Sequence, residues 1–240
     1  MVHAVPRADV EAPRESLPEP GLWLLVWSLL GLALQLSIWL TGARDESIGV
    51  AVEAGVARTE SRMTGEFDED AIREALRLQY DTFVFWRALF GIGDLLAVPT
   101  LLVGRSLAIA ATIAVAGAMT GRSPKFALSF AWAAVAQGCW LIGPLASWIA
   151  SLLGNVDFDS TLRLLLVPGP IPGPVWSLAG NVDLFAAFGW LLLTFVAMGR
   201  GWAHPITLLP SLASLALFEV LFVSVVELLV QGAMRGTILP

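Results

Sequence analysis

Arg105, Glu219 and Glu227 are ionisable residues set inside otherwise apolar runs. A charged side chain in hydrocarbon is costly, so each of the three must be paired, protonated or open to water. Glu219 and Glu227 are eight positions apart. On a helix that is about 12 Å along the axis and about 80° around it, so both share one half of the surface. Acids so placed can carry a proton or meet a cation. Arg105 lies at a depth expected to fall between them, and a long arginine side chain snorkels toward the nearer water. An Arg105–Glu227 pair is therefore expected, fixing how two spans pack. Two acids and one arginine make a thin ion pathway, so the residues favour a structural pair over conduction.

Other chemistry has little to stand on. The two histidines, His3 and His204, are far apart in sequence and suggest no metal site, and no phosphate-binding loop ends in Lys-Ser/Thr. Gly91 and Gly93 fail the dinucleotide pattern because Leu96 stands where a third glycine is needed. No serine occupies a Gly-x-Ser-x-Gly elbow. Cys139 is the one cysteine and cannot form an internal disulfide. The expectation is a protein that is not an enzyme and uses no cofactor or metal.

What must position the charged residues is a set of long apolar segments. Hydrophobic residues make up 57% of the 240 and the mean hydropathy is +0.76, beyond what a soluble domain of this length carries. A helix needs roughly 20 apolar residues to cross a hydrocarbon core of about 30 Å. Five segments approach or exceed that length, predicted at 21–41, 95–120, 126–153, 183–200 and 206–231. An alternative divides 83–120 into two spans, 83–103 and 106–119. The second would reach only about 21 Å, so one span is preferred. Residues 126–153 are long enough to tilt or kink, with Pro144 as the expected kink. Ala110, Ala114, Gly117 and Gly121, spaced by three or four, allow close helix contact.

Between the first two spans lies a polar stretch. Residues 42–83 carry ten acids against five arginines. Such a surface repels phosphate and disfavours nucleic acid. Residues 43–67 read as an exposed connector. From Asp68 an amphipathic helix is predicted, with Ile72, Leu76, Tyr80, Phe83 and Val84 on one face, lying in the headgroup plane. Residues 1–20 read as a flexible tail with acids where a signal peptide needs bases, so the first run is a retained span. Trp23, Trp39, Trp86, Trp148 and Trp202 fall near span ends, where indole favours the interface. Short basic connectors at Arg122 with Lys125, and at Arg200, mark one side as cytoplasmic. Five spans then leave the N-terminus inside and the C-terminus outside, in a cell membrane.

Two local patterns are similar to those of the Yip (Ypt-interacting protein) membrane-domain family. Gly121, Arg122, Ser123, Pro124, Lys125 and Phe126 resemble that family's Gly-rich basic turn leading into an aromatic. Asp183, Leu184 and Phe185, followed by Trp190 and closing at Gly199, resemble the signature of its fourth span. The resemblance covers roughly 84–232, and departs from the eukaryotic members in its short tail and in Arg105. It implies an all-α polytopic membrane protein, non-enzymatic, that scaffolds or shapes membrane as an adaptor. Membrane lipid, other membrane proteins or a second copy would be its partners. The alternative is a small transporter or permease-like subunit that uses Glu219.

Overall fold

The computed structural model describes residues 19–63, 69–122, 124–154, 158–166 and 173–234. The tail over 1–18, the acids Glu66, Asp68 and Asp157, Ser123 and the Pro-rich stretch 167–172 lie outside the described residues. The fold is an all-α bundle, and four helices are long and apolar enough to cross a membrane.

Helix α1 (Pro20–Leu40) runs antiparallel to α3 (Glu69–Ala118), because Leu24 packs with Leu102 while Trp39 reaches back to Asp94. Between them, 43–63 is not a connector but a second helix, α2 (Ala43–Met63). Thr41 and Gly42 break the chain there, with Gly42 at a φ of 77° that side chains with a Cβ avoid. The chain then continues along α3 in the direction of α1. Ile48, Val52, Val56, Thr59 and Met63 are buried, spaced by three and four as a helix face requires.

The amphipathic segment and the second span are one helix. The 50 residues of α3 run without a break through Pro99. At 1.5 Å per residue that is about 75 Å, some 45 Å more than a bilayer core takes up. In the N-terminal half α2 covers part of the predicted apolar stripe. Leu76, Phe83, Trp86 and Phe90 pack on Ile48, Val52 and Val56 of α2, and on Met234. Tyr80 and Val84, expected on that stripe, are exposed. The helix thus serves as a continuous strut: one half in the apolar bundle, the other half paired with α2.

The remaining elements close the bundle. Helix α4 (Phe126–Ala136) and α5 (Gly138–Leu152) form the next span, and the interruption falls at Gln137, not at Pro144, which continues within α5. The cause is local: Gln137 N and Trp140 N make i to i−3 bonds, and Gly138 lets Trp27 come against the backbone. A short 3₁₀ turn at Leu162–Leu165 and α6 (Gly173–Gly180) lead to α7 (Leu184–Gly199). Helix α7, predicted as a fifth span, has 16 residues, about 24 Å, and is not among the four helices of membrane-crossing length. Helix α8 (Pro205–Met234) returns along α3 and ends against Gln79, whose Nε2 donates to Met234 O at 3.3 Å.

Both basic connectors lie at one end of the bundle. Arg122 Nη1 donates to the carbonyls of Gly201 and Ala203, at 3.1 and 2.8 Å. The small-residue row packs within the chain there. Gly117 sits so close to Trp202 O and Pro124 that a methyl group would not fit. Gly121 is not part of that row: it stands beyond the helix in a turn with φ 70°.

Candidate functional site: an ion pair at the floor of an intramembrane pocket

Arg105 lies 13 residues from the C-terminal end of α3, and Glu219 lies 14 residues into α8. Those counts place both about 20 Å from the basic end, near mid-depth. They meet there. Arg105 Nε donates to Glu219 Oε1 at 2.7 Å, and both side chains are largely buried. The expected Arg105–Glu227 pair does not form. Glu227 sits about 12 Å further along α8. Its Oε2 accepts from Asn181 Nδ2 at 2.8 Å and its Oε1 from Gln231 Nε2 at 2.9 Å. Snorkelling is unnecessary for Arg105 because its charge is satisfied where it stands.

Two further side chains complete that environment. Gln137, fully buried at the α4–α5 break, accepts from Arg105 Nη1 through Oε1 at 3.0 Å and donates through Nε2 to Ala133 O at 3.2 Å. The guanidinium also stands 5.0 Å from the centroid of Trp140, within cation–π range. Trp140 in turn meets Trp190 edge-on at 5.5 Å. Sequence reasoning missed Gln137, although an amide inside an uncharged 28-residue run is a signal of the same kind as a charge.

A cavity of about 750 Å³ opens above the pair. Its walls come from α3, α5, α7 and α8, with Leu178 of α6 and the turn that follows it, and include Trp140, Trp190, Ala216 and Val220, with Arg105 and Glu219 on the floor. Leu101, Leu191, Leu209 and Leu217 form an exposed apolar rim, so the mouth faces sideways into what would be lipid. The volume is that of a small-molecule site. Asn181 and Asp183 close the end away from the basic connectors.

Asp183 is placed there by a helix cap. Its Oδ1 accepts from Phe185 N at 2.8 Å and Ala186 N at 2.9 Å, satisfying two free donors at the start of α7. Ser160 Oγ donates to Oδ2. Gly143 of α5 lies directly against the carboxylate, where a Cβ would collide with it. Other residues quoted for the family pattern take up local positions among the described residues. Gly121 makes the turn, Lys125 precedes α4, Phe126 stacks on Phe130, Trp190 lines the pocket and Gly199 ends α7.

A second ionic contact lies near the opposite boundary. Asp94 receives Arg44 Nη2 at 2.8 Å and Trp39 Nε1 at 3.2 Å, joining the α1–α2 break to α3. Among the described residues no cluster of His, Cys, Asp or Glu is arranged to hold a metal ion.

These features define an all-α bundle with membrane-length helices, an embedded ion pair and a lateral pocket. No protein-family model, curated protein or solved structure matches the chain.

Proposed function

We propose that the protein is a non-enzymatic, multi-pass membrane scaffold or adaptor of the Yip-like type, which holds a helical hairpin clear of the bilayer. The observation that carries this reading is the uninterrupted α3, whose outer half and α2 form the hairpin. A helix continuous with a span cannot swing as a tethered domain does, so its position relative to the membrane is set. Met234 of α8 braces the same hairpin from the side. In this reading all five apolar segments cross the membrane, α7 being the short one, and the basic connectors face the cytoplasm. The hairpin and the C-terminus then stand outside the cell membrane. The surface offered to partners mixes acids such as Glu53 and Glu74 with Arg73 and Arg77. Site-specific photo-crosslinkers at Glu53 and Glu74 in cells test it. Discrete crosslinked products that vanish when neighbouring hairpin charges are neutralised, yet persist in Glu219→Gln, support a scaffold.

The pocket favours a second reading, a small permease-like subunit in which Glu219 meets the transported species. A flux in liposomes that Glu219→Gln abolishes would replace the scaffold reading with this one.

A further inference from the structure

The pocket floor has an unusual electrostatic balance for a cavity opening onto hydrocarbon. Its lining carries one positive group, Arg105, and two negative ones, Glu219 and Asp183. Glu219 presents both of its arginine contacts through Oε1. Among the described residues its Oε2 accepts no hydrogen bond, while the residue lines the cavity. In a medium of low dielectric an acceptor of that kind is worth more than in water, and an excess negative charge attracts a cation strongly. The aromatic wall points the same way. Trp140 and Trp190 line the cavity, and indole faces attract cations through the ring quadrupole. Apart from Asn181, Thr194 and Pro144 the rest of the wall is alanine, leucine and valine, which accept hydrophobic bulk and offer little to a hydration shell.

We propose that this pocket is a binding site for lipophilic cations: bulky apolar molecules carrying one delocalised or poorly hydrated positive charge. The inference rests on the second reading above only in taking the pocket as a ligand site. It holds whether or not the ligand crosses the membrane. Such a molecule partitions into the bilayer, enters past Leu101, Leu209 and Leu217, and places its charge near Glu219 Oε2. Anions of the same size are opposed by the net charge of the lining. Arg105 offsets only one of the two carboxylates, so the lining keeps one net negative charge, and its guanidinium is already held by Glu219 and Gln137.

Tetraphenylphosphonium and tetraphenylborate, equal in size and opposite in charge, provide the test. Their binding to the purified full chain in neutral-lipid nanodiscs is measured by equilibrium dialysis, with empty nanodiscs subtracted. The expected result is saturable tetraphenylphosphonium binding with at least about tenfold preference over the borate, as a single uncompensated charge in a partly dry site implies. Glu219→Gln should remove most of that preference, and Ala216→Phe should weaken cation binding by filling the cavity. Because the preference is a ratio, partial misfolding that weakens both ions equally does not imitate it. Absence of saturable cation binding to the native chain, equal affinity for the two ions, or an unchanged preference in a folded Glu219→Gln protein would overturn the proposal. Binding without any flux in liposomes would leave this inference standing and remove the permease reading.

Discussion

Arg105 and Glu219 are 114 residues apart in the chain and join α3 to α8 at the same depth, with Nε and Oε1 2.7 Å apart. The pair sets the register of the two longest helices. Beyond it, α3 carries on into the hairpin and α8 follows far enough to reach Gln79. A contact midway along the apolar part of both helices is thereby linked to the position of the hairpin.

Removing one partner should be far worse than removing both. Arg105→Ala strands a buried carboxylate and should cost about 3–5 kcal/mol. Adding Glu219→Gln should recover a large part of that loss. Glu227→Gln should add to Arg105→Ala within about 0.5 kcal/mol, since the two residues do not touch. Reversible denaturant unfolding in mixed micelles measures all four quantities. Rescue by Glu227→Gln and not by Glu219→Gln would mean that α8 sits in another register.

The cap on α7 depends on the bare backbone of Gly143. Asp183→Ala should cost about 1 kcal/mol, whereas Asp183→Asn keeps an acceptor and should cost less. Gly143→Ala should be the more damaging change in the native chain and much milder in the Asp183→Ala background. Thermal unfolding of the single and double variants reads that coupling. Additive losses would show that the carboxylate and Gly143 are not in contact.

Ile48 is the centre of the contact between α2 and the outer half of α3, 1% exposed. Ile48→Ala should cost about 2–5 kcal/mol of local stability. Hydrogen exchange should accelerate over α2 and the N-terminal half of α3 and stay unchanged in α4, α5 and α7. Acceleration spread evenly through the bundle would contradict a hairpin that is a separate packing unit.

The helical class and the four long spans were legible in the sequence, because long uncharged runs leave few alternatives. Glu219 and Arg105 were also legible as residues needing partners. Their pairing was not. Depth was counted from an uncertain outer end of the second span, whereas counting from the end of α3 at Ala118, beside the basic turn, puts Arg105 level with Glu219. Helix α2 was missed because Ile48, Val52 and Val56 are diluted by alanine, glycine and charge. Its face shows only as a spacing, not as an apolar run. The identity of the buried face of α3 was misjudged for a tertiary reason. Tyr80 and Val84 fit the same periodic stripe as Phe83, but α2 covers only the side bearing Leu76, Gln79 and Phe83. Pro144 drew attention as a breaker, while the break lies at Gln137, where a side chain and Gly138 give the backbone other partners.

The most direct measurement is the depth profile of α3 by spin-label accessibility in lipid nanodiscs. Single labels at Arg73, Arg77, Val84, Ile92, Leu101, Leu107 and Val115 compare collisions with oxygen, which prefers lipid, and with a water-soluble nickel chelate. A water-dominated profile at Arg73, Arg77 and Val84, turning to lipid from Ile92 to Val115, is the expected result. Lipid-dominated accessibility reaching back through Val84 to Arg77 would place the amphipathic half in the bilayer surface, and the projecting hairpin would be wrong.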